Sequence, residues 1–183
     1  MKNTRFILVA LWAAVLVALP LSSADAFSYA GYRWKGTFPT VGMDLRGLNL
    51  TSWKSSAKTV MSEWNSKEAR FLFYSNDSSA NKAYVYYDYY GNLAFAKIYT
   101  YPFTKTIYKA HVYVNNFYSY NPPYTWGTWY DLKTVLRHEY GHLLKLEHNG
   151  NSSSLMYASI PPKTVKYIGT DEVNGIRYIY GRR

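Results

Sequence analysis

The chain has 183 residues and a net charge of +10, from 21 Lys and Arg against 11 Asp and Glu, a length that suits one compact domain and is short for two. It contains no cysteine, which excludes a cysteine protease, a thiolate zinc site and a latency switch built on a thiol. The basic residues are dispersed and no nucleic-acid motif is present, so the excess charge points to anionic surfaces or wall polymers, or simply to solubility, rather than to nucleic acid.

Lys2 and Arg5 precede an unbroken apolar run of 14 residues, 6–19, followed by Pro20 and the small-x-small pattern Ala24-Asp25-Ala26. This is the layout of a secretory signal peptide, and the run falls short of the roughly 20 residues that span a bilayer. Residues 1–26 are therefore read as a signal peptide. Residues 27–183 are read as a single domain beginning near Phe27, secreted, without a membrane anchor and monomeric.

Within that domain, residues 32–34 and 41–45 read as an early strand interrupted by the turn-prone Gly36 and Pro39. Residues 51–65 change to helical spacing: Trp53, Ala57, Val60, Met61 and Trp64 share one stripe, while Lys54, Lys58, Ser62 and Glu63 fall elsewhere. Thr51 or Ser52 is the expected cap. Residues 71–74 and 83–90 read as strands. Gly91-Asn92 turns the chain into a third strand, 93–99, and 107–114 forms a fourth with Ala110, Val112 and Val114 on one face.

A Pro- and Tyr-rich loop follows, and a helix begins at Asp131, its expected N-cap, with Leu132, Val135, Leu136 and Leu143 on its apolar stripe. The last helix, 170–180, carries Asp171 and Glu172 in its first turn and stops at Gly181. Strands mixed with a first helix, then two closing helices, define an α+β class.

The informative segment is His138-Glu139-Tyr140-Gly141-His142-Leu143-Leu144-Lys145-Leu146-Glu147-His148. Histidines at i and i+4 project from one helix face and can reach a single ion. His148 is too far along a straight helix to join them, so the helix must end after Leu144 and the chain fold back. Three neutral histidines leave one tetrahedral position open for water, the catalytic rather than the structural arrangement. Glu139, offset around the helix, is the candidate general base for that water. The expected cofactor is one catalytic Zn2+.

This segment resembles the zinc-binding motif of the metzincin metallopeptidases, and within them the matrixin-like enzymes. The resemblance implies a twisted, mixed but mostly parallel sheet, a long first helix, an active-site helix and a small C-terminal lobe ending in a helix. It also implies cleavage of internal peptide bonds in protein or peptide substrates. Ser154-Leu155-Met156-Tyr157 is similar to the family's methionine turn, which places Met156 beneath the metal. The strand around Gly91-Asn92-Leu93-Ala94-Phe95-Ala96 is similar to the edge to which a substrate adds as another strand. The loop after the turn, with Tyr157 and Ile160-Pro161-Pro162, corresponds to the wall of the pocket for the residue after the cut. Tyr157 and Pro161 are thus expected there, with an apolar substrate side chain.

Three positions depart from the family. Lys145 replaces the glycine of the turn, where a left-handed backbone costs a lysine about 1–2 kcal/mol. His111 matches one ligand position of a second, structural zinc, but Phe95 stands where another ligand belongs, so His111 is read as non-ligating. The absence of cysteine removes the usual latency switch. Asp44, Asp77, Asp88 and Asp131 are scattered and form no calcium loop, so Ca2+ is left without assigned residues. The resemblance further implies that a free amine at Phe27 would pair with Asp171. Two alternatives share the scaffold, a non-catalytic secreted binding module and a zinc amidase acting on cell-wall peptides.

Overall fold

The computed structural model describes residues 27–123 and 126–183; the segment read as a signal peptide lies outside them. In chain order the elements are β1 (Ser28–Tyr29), β2 (Arg33–Trp34), β3 (Thr40–Gly47), α1 (Thr51–Asn65), β4 (Leu72–Ser75), β5 (Lys82–Tyr86), β6 (Ala94–Thr100), β7 (Thr106–Asn115), β8 (Tyr120–Asn121), β9 (Tyr130–Asp131), α2 (Leu132–Leu143), β10 (Leu146–Glu147) and α3 (Thr170–Tyr180). The class is α+β.

The main sheet runs β4-β3-β5-β7, all parallel, with the short β2 also parallel to β7 and β6 antiparallel along β7's other side. The strand after Gly91-Asn92 therefore does not pair with the strand before it, because β7 lies between them. β5 also stops at Tyr86, short of the expected Tyr90. Asp88 there donates its backbone N–H to the Asn115 side chain instead of to a strand.

One face of the sheet and the helices form the core. Ala83, Ala110, Val112 and Val114 of the sheet, Trp53, Val60 and Trp64 of α1, and Leu132, Leu136 and Tyr140 of α2 are all buried. The first helix has the predicted bounds, but its cap differs. Leu50, in extended backbone, occupies the N-cap position, and no side chain caps the helix. Asp131 caps α2 as expected, its carboxylate accepting from the Thr134 N–H at 2.7 Å and from the Thr134 hydroxyl at 2.7 Å.

The C-terminal end of α2 is closed from two directions. Trp34 Nε1 donates to the Leu143 carbonyl at 2.8 Å, and the Tyr180 hydroxyl donates to the Leu144 carbonyl at 3.3 Å. These satisfy carbonyls that a helix end otherwise leaves without partners. Lys145 then takes φ +69, the chain reverses, and β10 pairs antiparallel with β1. Arg137, almost wholly buried, locks α2 to α1: its Nε and Nη2 donate to Glu63 at 2.6 and 2.8 Å. Glu63 thus serves a partner 74 residues away rather than solvent alone. After β10 the chain forms a small lobe ending in α3, which stops at Gly181, φ +84.

Candidate metal centre

Helix α2 presents His138 and His142 one turn apart, and the reversal at Lys145 returns His148 to them. The Nε2 atoms of the three imidazoles form a near-equilateral triangle, with edges of 3.1, 3.1 and 3.2 Å. Their outer nitrogens decide what those contacts are. His138 Nδ1 faces the Leu155 carbonyl at 2.8 Å, and His142 Nδ1 faces the Leu146 carbonyl at 2.8 Å. A carbonyl only accepts, so both Nδ1 atoms carry protons and both Nε2 atoms are bare lone pairs.

The His138–His142 contact is thus lone pair against lone pair, which repels unless a cation sits beside both, and His148 Nε2 completes the triangle. A point about 2 Å from all three nitrogens, the Zn–N distance, lies about 1 Å outside their plane. The donor set therefore fits one zinc ion with an open side. It is the only such cluster of His, Asp and Glu among the described residues. Burial, reinforced by neighbouring imidazoles, holds His138 down at about 3, and burial holds His142 down at about 4. Both are neutral at any pH near 7, as ligands must be.

Glu139 lies in the same cleft, buried, with Oε2 lacking a protein hydrogen-bond partner among the described residues. Burial pushes its carboxyl up to about 8, against a smaller opposing effect from the Ala96 backbone amide. The cleft has a volume of about 600 Å³. One wall is the stretch from Gly91 to Ala96, including the start of β6. Among the described residues that strand pairs with β7 alone, so its other edge has no strand partner and faces the cleft. The opposite wall includes Ala158, Ser159 and Ile160. Tyr157 and Pro161, expected in that wall, flank these three and do not line the cleft.

Met156 has its side chain against α2, beside Gly141, which directly precedes His142. A Cβ built on Gly141 would sit 2.5 Å from the Met156 sulfur, so the thioether occupies the space that the glycine leaves. The turn around Met156 rests on Glu172 of α3. That carboxylate accepts from the Ser154 hydroxyl at 2.6 Å, from the Met156 N–H at 3.3 Å and from the Gly169 N–H at 2.8 Å. Lys166 adds two bonds to the same loop, at the carbonyls of Ser152 and Ser154.

Sequence reasoning missed the roles of Glu172, Lys166 and Arg137. Glu172 was visible only as a favourable first-turn acid. His111 accepts the Lys82 N–H on Nδ1 at 3.1 Å and sits between Lys82 and Lys97 in the strand register.

A mixed sheet over an active-site helix, three convergent imidazoles and a methionine turn define a metzincin-type catalytic domain. A family model described as Matrixin matches residues 48–181, and the chain belongs to the matrixin family. Among curated proteins it is similar to Metalloendoproteinase 1 of Glycine max, 47% identical over 53 residues. It is also similar to Metalloendoproteinase 1-MMP of Arabidopsis thaliana, 44% over 52 residues, and to Matrix metalloproteinase-26 of Homo sapiens, 39% over 59 residues. These segments cover 28%, 28% and 31% of this chain, but only 17%, 14% and 22% of the three relatives.

Proposed function

We propose that the protein is a secreted zinc endopeptidase that hydrolyses internal peptide bonds, with His138, His142 and His148 as ligands and Glu139 as general base. The convergence of three imidazole Nε2 atoms, two of them necessarily unprotonated, carries this reading. Zinc held by His138, His142 and His148 would supply a Lewis acid for activating water and polarising a carbonyl.

The chain's own residues do the rest. The free edge of β6 aligns an extended peptide along the cleft by backbone hydrogen bonds. Glu139 takes a proton from the attacking water on its unpartnered oxygen and hands it to the leaving amine. A carboxyl raised to about 8 in the protein alone is a poor base. Beside a bound cation the ionised form would be favoured, so Glu139 would act as base only when the three histidines hold a metal. Leu155 and Leu146 hold the two ligand rings in the productive tautomer.

Secretion follows from reading residues 1–26 as a signal peptide, which leaves Phe27 at the start of the mature domain. The Phe27 ring lies 5.6 Å from the Tyr178 ring of α3, the helix that carries Asp171 in its first turn. A new amine at Phe27 would pair with that carboxylate, and signal removal would complete maturation.

Casein digestion by wild type and Glu139→Ala, with zinc measured on both, tests the reading. It predicts cleavage by wild type only, with zinc on both proteins. Zinc without cleavage of protein or wall peptides would leave a binding module, and cleavage of wall peptides alone would leave an amidase.

A further inference from the structure

The hairpin between β6 and β7 ends in a phenylalanine that nothing covers. Phe103 is 109% exposed, and the backbone holds it there. The Thr104 N–H donates to the Tyr101 carbonyl at 3.3 Å, closing a turn with Pro102 second and Phe103 third, at φ +59. A turn with a positive φ at its third residue ordinarily carries glycine there. The Thr104 hydroxyl stiffens this one, donating to the same carbonyl at 3.1 Å and accepting from the Thr106 N–H at 3.2 Å. A single exposed apolar side chain needs no explanation. Phe103 is also strained, and with its ring wholly in water no contact inside the fold offsets the strain.

The rest of the hairpin has one character. Tyr101 and Tyr108 flank the tip, 52% and 44% exposed, with ring centroids 4.8 Å apart. Tyr108 lies in turn 6.3 Å from Tyr99. The ammoniums of Lys97 and Lys109 lie 5.5 and 4.3 Å from the Tyr99 centroid, so both lysines share its face of the sheet. Lys105, exposed, follows two residues after Phe103. None of these three lysines is in an ion pair among the described residues. Residues 89–130 contain no Asp or Glu.

One hairpin therefore offers cations without counter-ions and an apolar ring beyond a belt of tyrosines. A soluble polyanion would answer the lysines and leave Phe103 in water. An apolar protein groove would cover Phe103 and leave the lysines without partners. A bilayer carrying anionic lipid answers both. Its headgroups attract the ammoniums, its boundary suits tyrosine, and its acyl region takes up the phenyl ring.

We propose that the β6–β7 hairpin docks reversibly on an anionic lipid bilayer, with its Tyr99 face along the headgroups and Phe103 inserted. β6 is also a wall of the cleft, so docking holds the cleft at the membrane surface. The docking itself does not rest on the peptidase reading.

Co-sedimentation of residues 27–183 with vesicles tests this. The core lies within those residues, and the apolar run 6–19, which would itself enter lipid, is absent from them. Vesicles of phosphatidylcholine with one third phosphatidylglycerol should bind the protein saturably, at least about tenfold more tightly than phosphatidylcholine alone. Phe103→Gly should weaken that binding by about tenfold or more. Glycine takes φ +59 without strain, so this variant keeps the turn and the fold. Phe103→Trp should bind at least as well as wild type. Lys97→Gln/Lys105→Gln should lose roughly tenfold or more, at about fivefold for each lysine. Lys54→Gln/Lys58→Gln on α1 removes the same charge and should lose less than about threefold. No binding to the anionic vesicles, equal binding to the neutral ones, or wild-type affinity in Phe103→Gly overturns the proposal. An equal loss in the two lysine pairs also overturns it, since net charge alone would then account for the binding.

Discussion

Ser154 and Glu172 are 18 residues apart, and the serine hydroxyl donates to the carboxylate at 2.6 Å in a fully enclosed site. This bond links the last helix to the metal centre. Ser154 precedes Leu155, whose carbonyl orients His138, and Met156, which underlies α2. The turn is held from below so that a ligand is aimed from above. Glu172→Ala leaves the Ser154 hydroxyl and the Gly169 N–H without their acceptor, while the Met156 N–H keeps Ser154 Oγ at 3.0 Å; the loss costs about 2–4 kcal/mol. It also lowers zinc affinity about tenfold or more, because the support of a ligand is lost. Chemical denaturation and a competitive zinc titration check the two effects. Glu172→Gln, which keeps an acceptor, should lose less of each.

Arg137 and Glu63 are a second long-range device. The guanidinium is bidentate and buried, whereas the carboxylate is partly exposed. Arg137→Ala strands Glu63 and opens the Lys166 carbonyl, at an expected cost of about 2–4 kcal/mol. Arg137→Lys should recover less than half of it, because an ammonium cannot reproduce the fork. Urea unfolding of the two variants measures the difference.

Lys145 carries its left-handed backbone with some compensation. Its ammonium lies 2.5 Å from Glu147 in the cleft wall, a partly buried pair worth about 1 kcal/mol. Relief of about 1–2 kcal/mol of strain in Lys145→Gly exceeds that loss. Glycine's extra unfolded freedom takes back part of the gain. The opposing effects nearly cancel, so a change in Tm of no more than about 3 °C is expected by scanning calorimetry, with zinc content unchanged.

Asp44 predicts a pH dependence. The Arg46 guanidinium, bound at 2.8 and 3.0 Å, holds its carboxyl down at about 2, against 3.8 for the free group. The folded state thus binds this proton less readily than the unfolded chain. The stabilisation is complete above pH 4 and is lost as the pH falls through 2. The stability difference between wild type and Asp44→Asn should therefore shrink between pH 4 and 2 and stay level from pH 5 to 7.

Local chemistry was legible in the sequence, and distant pairing was not. The stripe of Trp53, Val60 and Trp64, the cap at Asp131 and the stop at Gly181 depend on neighbours within a turn or two. The His138–His148 spacing forces a reversal that Lys145 makes, so the approach of the three imidazoles to one another was legible in the sequence. The Leu50 cap was hidden because Thr51 and Ser52 are better cap residues and only the backbone geometry excluded them. The Gly91-Asn92 turn was legible, but nothing local reveals that β7, some 15 residues later, inserts between the strands on either side of it. Glu172, Arg137 and Asn115 were invisible as supports, since each is an ordinary polar residue until the fold buries it beside a partner far away in the chain.

The central claim is a single zinc ion held by three imidazoles, and metal stoichiometry tests it most directly. Protein dialysed against trace zinc and analysed by mass spectrometry should retain one zinc per chain. His138→Ala, His142→Ala and His148→Ala should each retain less than a tenth of that. A wild type without zinc, or a His142→Ala protein that keeps it fully, would contradict the account.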